Sequence, residues 1–209
     1  MSAGGATRAL WPTQIYEANL AADPGFPAFN AELEQACRGL AEEDRAGRAW
    51  SRAHGYRGYT SYASLHDLPQ RASVFADLKR RLDRHAALYA RALHLDLGGR
   101  RLKLDSLWAN VLRPGGAHSG HLHPLSVISG TYYVRVPDRA GGLRLEDPRL
   151  SRLMARPPLA LDAPAESRQV VTLSPAPGAL LMWESWLRHE VPPHAGQGDR
   201  ISLSFNYAW

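Results

Sequence analysis

Residues 200–209 read RISLSFNYAW. Ile201, Leu203, Phe205 and Tyr207 alternate with Arg200, Ser202, Ser204 and Asn206. This period of two predicts a strand with one apolar face and one face bearing a cation and three hydrogen-bonding groups. Toward the N-terminus the same texture recurs in GALLMW (178–183), QVVTL (169–173), VISGTYYVRV (127–136) and RLKLDSLWANVL (101–112), each a short β-forming run set off by Gly or Pro. Short strands in succession predict a sandwich or barrel. The segment from Asp147 to Arg168 breaks the rhythm, because Pro148, Pro157, Pro158 and Pro164 exclude a central strand. It reads as a long excursion near the barrel mouth, a lid or substrate-contacting loop.

The first half is different. Leu33, Cys37 and Leu40 recur at helical spacing after Asn30, a suitable N-cap. Phe75, Leu78, Leu82, Tyr89 and Leu93 mark one face of a longer helix that starts after Pro69, and Gly98-Gly99 closes the region. Between them HGYRGYTSYASLHDL (54–68), rich in Gly and Tyr, reads as a loop of the kind that lines sites. The expectation is a mainly β protein with helices: helical support over about 28–98, a β core over about 101–209, and two helices packed outside one sheet, all in one domain over 1–209.

With 209 residues and 44% apolar content the chain can bury one full core. The single cysteine, Cys37, has no internal disulfide partner and suits the apolar face of its helix as a core thiol, in keeping with a reducing cytoplasm. No apolar run is long enough to span a bilayer, and MSAGGATRAL has one arginine but no apolar stretch after it, so a soluble, unexported, cytoplasmic protein is expected. The net charge of +5 and a pI near 9.6 raise an acidic ligand or nucleic acid as partners. The densest basic group, Lys79, Arg80, Arg81 and Arg84, is interrupted by Leu82 and Asp83 as a solvated helix face would be, and no nucleic-acid-binding motif accompanies it. The solvated reading is therefore preferred.

AHSGHLHPLS (117–126) carries the chemistry, with His118, His121 and His123 just before a β-forming run. On an extended chain His121 and His123 share a side, so two imidazoles aim at one point. His189, after GALLMWESWLR, can arrive from a neighbouring strand. Two histidines two apart plus a distant third reproduce the spacing of the 2-His-1-carboxylate facial triad, with His123 in the carboxylate position. A His-x-His pair alone is as readily polar surface as a metal site. Arg200 adds weight: it lies eleven residues after His189 across a Pro- and Gly-containing turn, so its strand can return beside the one that delivers His189.

HLHPLSVISGTYYV (121–134), GGLRLEDPR (141–149) and PGALLMWESWLRHEVPPHAGQGDRISLSFN (177–206), with LWPTQIY (10–16) and GYTSY (58–62), resemble in order a subfamily of the 2-oxoglutarate–Fe(II) oxygenases related to prolyl hydroxylases. The resemblance implies a double-stranded β-helix, a jelly-roll or cupin-like fold. It implies an enzyme using Fe(II), 2-oxoglutarate and O2 to hydroxylate a C–H bond with release of succinate and CO2. By position His121 and His189 would be the histidine ligands, His123 would take the third place, Arg200 would pair with the C5 carboxylate of 2-oxoglutarate, and Ser202 would add a hydroxyl to it. Asn110, Tyr132 and Asn206 are further candidates for pocket hydrogen bonds, weighed against strand packing, and Trp183, Trp186 and Tyr133 for pocket walls. Since His123 replaces the usual carboxylate, the third ligand stays open among His123, His118, a carboxylate (Glu146, Asp147, Glu184 or Glu190) and water. Two rivals also stay open: a cupin-like three-histidine metalloenzyme that uses no 2-oxoglutarate, and a non-catalytic barrel for a small acid or a structural zinc. A peptide, a free amino acid or another small metabolite are equally compatible substrates.

Overall fold

The arginine-bearing strand is central. In the computed structural model, which describes residues 4–209, the first sheet holds, in spatial order, β1 (Ile15–Asn19), β8 (Ala179–Glu184), β5 (Ile128–Arg135), β10 (Arg200–Ala208), β3 (Lys103–Leu112) and β2 (Gly58–Thr60). The second holds β4 (His118–His121), β9 (His189–Val191), β6 (Leu143–Glu146) and β7 (Val170–Leu173). All pairings are antiparallel. From β3 onward the chain passes repeatedly between the sheets, which makes the double-stranded β-helix. Of the opening stretch read for a targeting segment, Met1–Ala3 lie outside the described residues.

Three helices precede and flank the sheets: α1 (Phe26–Glu43), α2 (Arg45–Ala53) and α3 (Ser73–Ala92). The alternation in β10 divides its two environments. Ile201, Leu203, Phe205 and Tyr207 join Ala109, Val111, Tyr132, Val134, Leu180 and Met182 in a core with Leu33 and Cys37 of α1 and Phe75, Leu78, Leu82 and Tyr89 of α3. Truncating one of the fully buried leucines here to alanine costs about 2–5 kcal/mol. Between the sheets a smaller cluster, Tyr133, Leu143, Leu145, Leu181, Trp183 and Leu187, fills one end. The other half of the space between the sheets is polar, and the site lies there.

Several details depart from the sequence reading. Pro27 in the first turn lets α1 begin at Phe26, with Gly25 as its N-cap at φ 77°. Asn30 thus lies inside the helix, where it donates to the Val134 carbonyl (2.9 Å) and accepts from the Tyr132 hydroxyl (2.9 Å), pinning α1 to β5. There are three α-helices among the described residues instead of two, because Asp44 adopts an extended conformation, ends α1 and caps α2 by accepting from the Gly47 N–H at 2.9 Å. The same carboxylate accepts from the hydroxyls of Tyr59 (2.9 Å) and Ser64 (2.5 Å), which ties the 54–68 segment to α2. Burial pushes that carboxyl up, but these hydrogen bonds outweigh it and hold it below the ordinary range.

The 54–68 segment also contains a strand. β2 sits on β3 only because residue 58 is glycine: its φ is 142°, and a Cβ would lie 2.1 Å from the Val111 carbonyl oxygen. With β1 on the opposite edge, the N-terminal half completes the larger sheet as well as supplying helices. The 147–168 segment forms the short 3-10 turns Leu150–Arg152 and Ala165–Ser167 and leaves Met154 and Leu161 exposed. The basic stretch of α3 is largely paired, Lys79 with Asp83, Arg80 with Asp77 and Arg81 with Asp23. No helix among the described residues is long and apolar enough to cross a membrane.

Candidate metal centre and cavity

Three imidazoles meet between the sheets. His121 in β4 and His189 in β9 are direct partners across the second sheet, with ring centroids 4.4 Å apart. His123 arrives from beyond the end of β4 and is not on one continuous strand with His121. Its N–H donates to the Ser185 carbonyl at 3.0 Å, and this brings its ring 5.1 Å from each of the other two. One ligand atom from each residue lies within 4.8 Å of the others, a grouping that could hold a metal ion.

The hydrogen bonds on the far side of each ring fix what it offers. Nδ1 of His121 faces the Ser119 carbonyl (2.7 Å), Nδ1 of His189 the Leu187 carbonyl (2.9 Å), and Nδ1 of His123 the Asn206 side-chain oxygen (2.7 Å). A carbonyl oxygen only accepts, so each Nδ1 carries the proton and each Nε2 presents a lone pair. His123 Nε2 is buried without a hydrogen-bond partner, an orphan that a metal bond would satisfy. Burial, partly offset by the Leu187 carbonyl and reinforced by the neighbouring imidazoles, pushes His189 down to about 3. Burial also lowers His123. Both are neutral donors at neutral pH. The set fits Fe(II), for which neutral imidazole is a suitable ligand.

Asn206 stands behind the third histidine. Its oxygen also accepts from Ser129 Oγ (2.8 Å), its nitrogen donates to Ser106 Oγ (3.2 Å), and Ser129 bonds Ser185 at 2.8 Å. β3, β5, β8–β9 and β10 are thereby locked around His123. The sequence reading offered Asn206 as a candidate for pocket hydrogen bonds; its oxygen is committed to His123 and Ser129. The signal was available, since Asn206 shares a strand face with Arg200.

Arg200 occupies the other end of the cavity and is 1% exposed. It donates to the Ser202 hydroxyl at 3.3 Å, its Nε is buried without a partner, and no carboxylate pairs with it among the described residues. The guanidinium lies 5.1 Å from the Tyr133 ring centroid, and the Tyr133 hydroxyl is likewise buried without a partner. His118 and Tyr56 line this end too, joined at 3.2 Å. Burial first, then the charge of Arg200, pushes His118 down to about 3. A buried cation with unused donors and neutral neighbours could receive a carboxylate.

The remaining candidates separate by face. Asn110 lines the cavity, accepting from Thr60 Oγ1 (2.8 Å) and donating to Ser204 Oγ (3.1 Å). Tyr132 is on the opposite face, among the helices with its hydroxyl on Asn30; Tyr133 is the tyrosine of this pair that reaches the cavity. Trp183 lines the cavity edge-on to His189 at 4.6 Å, whereas Trp186 is half exposed outside it. The carboxylates considered as ligands are engaged elsewhere: Glu190 with Arg144 (2.7 Å), Glu146 with Arg188 (3.5 Å) and Asp147 with Arg149 (2.9 Å). Glu184 follows Leu180 and Met182 on the helix-facing side of β8. His118 belongs to the Arg200 end and is not part of the three-imidazole group.

The whole cavity is about 730 Å³. Residues 106–206, from β3 to β10, match the model of a family described as "Putative 2OG-Fe(II) oxygenase". This match, over just under half of the chain, contains the three imidazoles, Arg200 and the strands that carry them. Solved structures share the architecture. A prolyl-4-hydroxylase of Pseudomonas putida is 18% identical over 94% of each chain, with a TM-score of 0.60. The epimerase SnoN, in complex with Fe3+, alpha ketoglutarate and nogalamycin RO, is 17% identical over 94% of this chain and 79% of its own, with a TM-score of 0.62. HygX from Streptomyces hygroscopicus, with nickel, 2-oxoglutarate and hygromycin B bound, is 17% identical over 94% and 83%, with a TM-score of 0.59. At these identities the likeness is one of fold. No curated protein matches the chain in sequence.

Proposed function

We propose that the protein is a hydroxylase whose iron is held by His121, His123 and His189, and whose 2-oxoglutarate is anchored through its C5 carboxylate by Arg200, Ser202 and Tyr133. The observation that carries this reading is the pairing of three imidazoles presenting unprotonated Nε2 atoms with a fully buried, uncompensated guanidinium in one cavity. Bound Fe(II) supplies the redox chemistry by which O2 and 2-oxoglutarate yield succinate and CO2 while a substrate C–H bond is oxidised.

The chain's own residues bind, orient and exclude water. The Ser119, Leu187 and Asn206 oxygens hold the three imidazoles in the tautomer that donates from Nε2. Three neutral ligands leave the full metal charge in the cavity, and with Arg200 that field favours a dianionic cosubstrate over a neutral one. The planar guanidinium can donate two parallel hydrogen bonds to one carboxylate, and the Tyr133 hydroxyl can add a third. His118, kept neutral, donates no competing charge at that end. Trp183 and Leu143 close the cavity on the side of the inner apolar cluster.

Three histidines also suit a cupin-like enzyme without 2-oxoglutarate; the unmatched charge of Arg200 favours the dicarboxylate. Succinate release by iron-loaded protein separates the two. The wild type is expected to convert 2-oxoglutarate to succinate slowly without substrate and faster with it; His189→Ala is expected to abolish conversion, and Arg200→Ala to require much higher 2-oxoglutarate for it. Turnover that survives Arg200→Ala unchanged contradicts the assignment.

A further inference from the structure

We propose that the substrate of this centre presents an uncharged, largely apolar face to the metal, so that free amino acids and other ionic metabolites are excluded. The inference rests on the reading of Arg200 as the 2-oxoglutarate anchor. Among the described residues, Arg200 is the only one lining the cavity whose side chain has a fixed charge. Once it is matched by the cosubstrate, no acid is left to meet an ammonium group and no base to meet a second carboxylate. The charged residues on either side of His189 are already paired, Arg188 with Glu146 and Glu190 with Arg144. An ionic group entering here would lose its water without gaining a partner.

What the cavity offers instead lies at the end away from Arg200. In the β10–β3 register Arg200 pairs with Leu112 but Trp108 pairs with Ser204, four residues further along. Trp108 stacks on His123 with ring centroids 5.9 Å apart, and Tyr62 stands edge-on to Trp108 at 5.2 Å. Leu122 and Pro124 continue this wall beside the metal group, with Tyr62 56% and Leu122 45% exposed. Tyr62, Leu122 and Pro124 are left toward solvent at the mouth, and Trp108, buried beneath them, belongs to neither apolar core cluster, which marks a surface kept for a partner. Aromatic faces attract cations as well as apolar groups. Here, however, the ring that Trp108 covers belongs to a metal ligand, and the metal's positive charge opposes a cation at that wall. An uncharged ring or chain is the chemistry that remains. It can come from an amide-bonded amino-acid residue or from a neutral sugar.

The test uses anaerobic protein loaded with Fe(II) and 2-oxoglutarate, titrated with matched pairs that differ in charge. The pairs are N-acetyl-L-phenylalanine amide against L-phenylalanine, N-acetyl-L-leucine amide against L-leucine, and methyl β-D-glucopyranoside against the corresponding glucuronide. Perturbation of the metal–2-oxoglutarate absorption band reports binding. At least one neutral member is expected to bind ten-fold or more tightly than its charged counterpart, and the pair that does so identifies the source. Tyr62→Ala should weaken binding of that neutral member, while Tyr62→Glu should admit N-acetyl-L-lysine amide. Equal or tighter binding of the charged members, or no binding by any neutral one, overturns the proposal. Failure of the band itself to form on adding 2-oxoglutarate overturns instead the assignment of the metal and cosubstrate residues.

Discussion

Asn206 accepts the Nδ1 proton of His123 at 2.7 Å from the same strand that carries Arg200. The polar face of β10 thus holds His123 at one end and carries the buried Arg200 at the other. Removing that acceptor leaves His123 free to turn or to change tautomer. Asn206→Leu is expected to weaken metal binding about 10–100-fold, measured by calorimetric titration with Fe(II) or Co(II). Asn206→Asp keeps an acceptor in place and should lose much less. Equal loss in both variants would show that His123 does not depend on this contact.

The two adjacent tyrosines should behave oppositely. Tyr132→Phe deletes a hydroxyl bonded to Asn30 and is expected to cost about 1 kcal/mol of stability with the 2-oxoglutarate affinity unchanged. Tyr133→Phe deletes a hydroxyl without a protein partner, so it should leave stability nearly intact and weaken 2-oxoglutarate binding. Thermal melts and cosubstrate titrations on both variants check the pair.

Arg200 is a buried charge awaiting a partner, which separates its cost in folding from its value in binding. Arg200→Met is expected to be at least as stable as the wild type without ligand, and to weaken 2-oxoglutarate binding by about 2 kcal/mol or more, roughly 30-fold. Added 2-oxoglutarate should raise the melting temperature of metal-loaded wild type and leave that of the variant unmoved. A variant that is itself unstable, yet binds normally, contradicts this role.

Acid should destabilise the metal-free protein earlier than carboxylates alone would dictate. His118 and His189 are held near 3 in the folded chain, against about 6.5 when unfolded. The unfolded state thus binds more protons between these values, so this stability is fully present above pH 6.5 and is lost as pH falls toward 3. Each histidine contributes a slope of up to about 1.4 kcal/mol per pH unit in that window. Denaturant midpoints followed from pH 7 to 4 should fall, and His118→Gln should reduce the slope. A flat profile over that range would contradict the neutral burial of these rings.

The parts legible in the sequence are those with strong period-two alternation. Arg200 to Tyr207 declares both its faces, and in β5 Ile128, Tyr132 and Val134 alternate with Ser129, Thr131 and Tyr133. That second alternation, read as strictly as the first, would have assigned Tyr133 to the cavity and Tyr132 to the helix side. β1 and β2 escaped because five residues at one sheet edge and three residues, Gly58 among them, at the other carry too little pattern. α2 escaped because its sequence RAGRAWSRA buries only Gly47 and Ser51. Asn30 looked like a cap because asparagine favours that position, but Pro27 and a tertiary bond to Val134 moved it into the helix. Long-range partners such as Asn206 for His123 are set by how strands meet, which spacing alone does not encode.

Anaerobic titration of Fe(II)-loaded protein with 2-oxoglutarate tests the central claim most directly. A saturable visible charge-transfer band is expected, absent in His189→Ala, shifted to much higher 2-oxoglutarate concentration in Arg200→Met, and close to wild type in Tyr132→Phe. Folded, iron-loaded protein that develops no band contradicts the account.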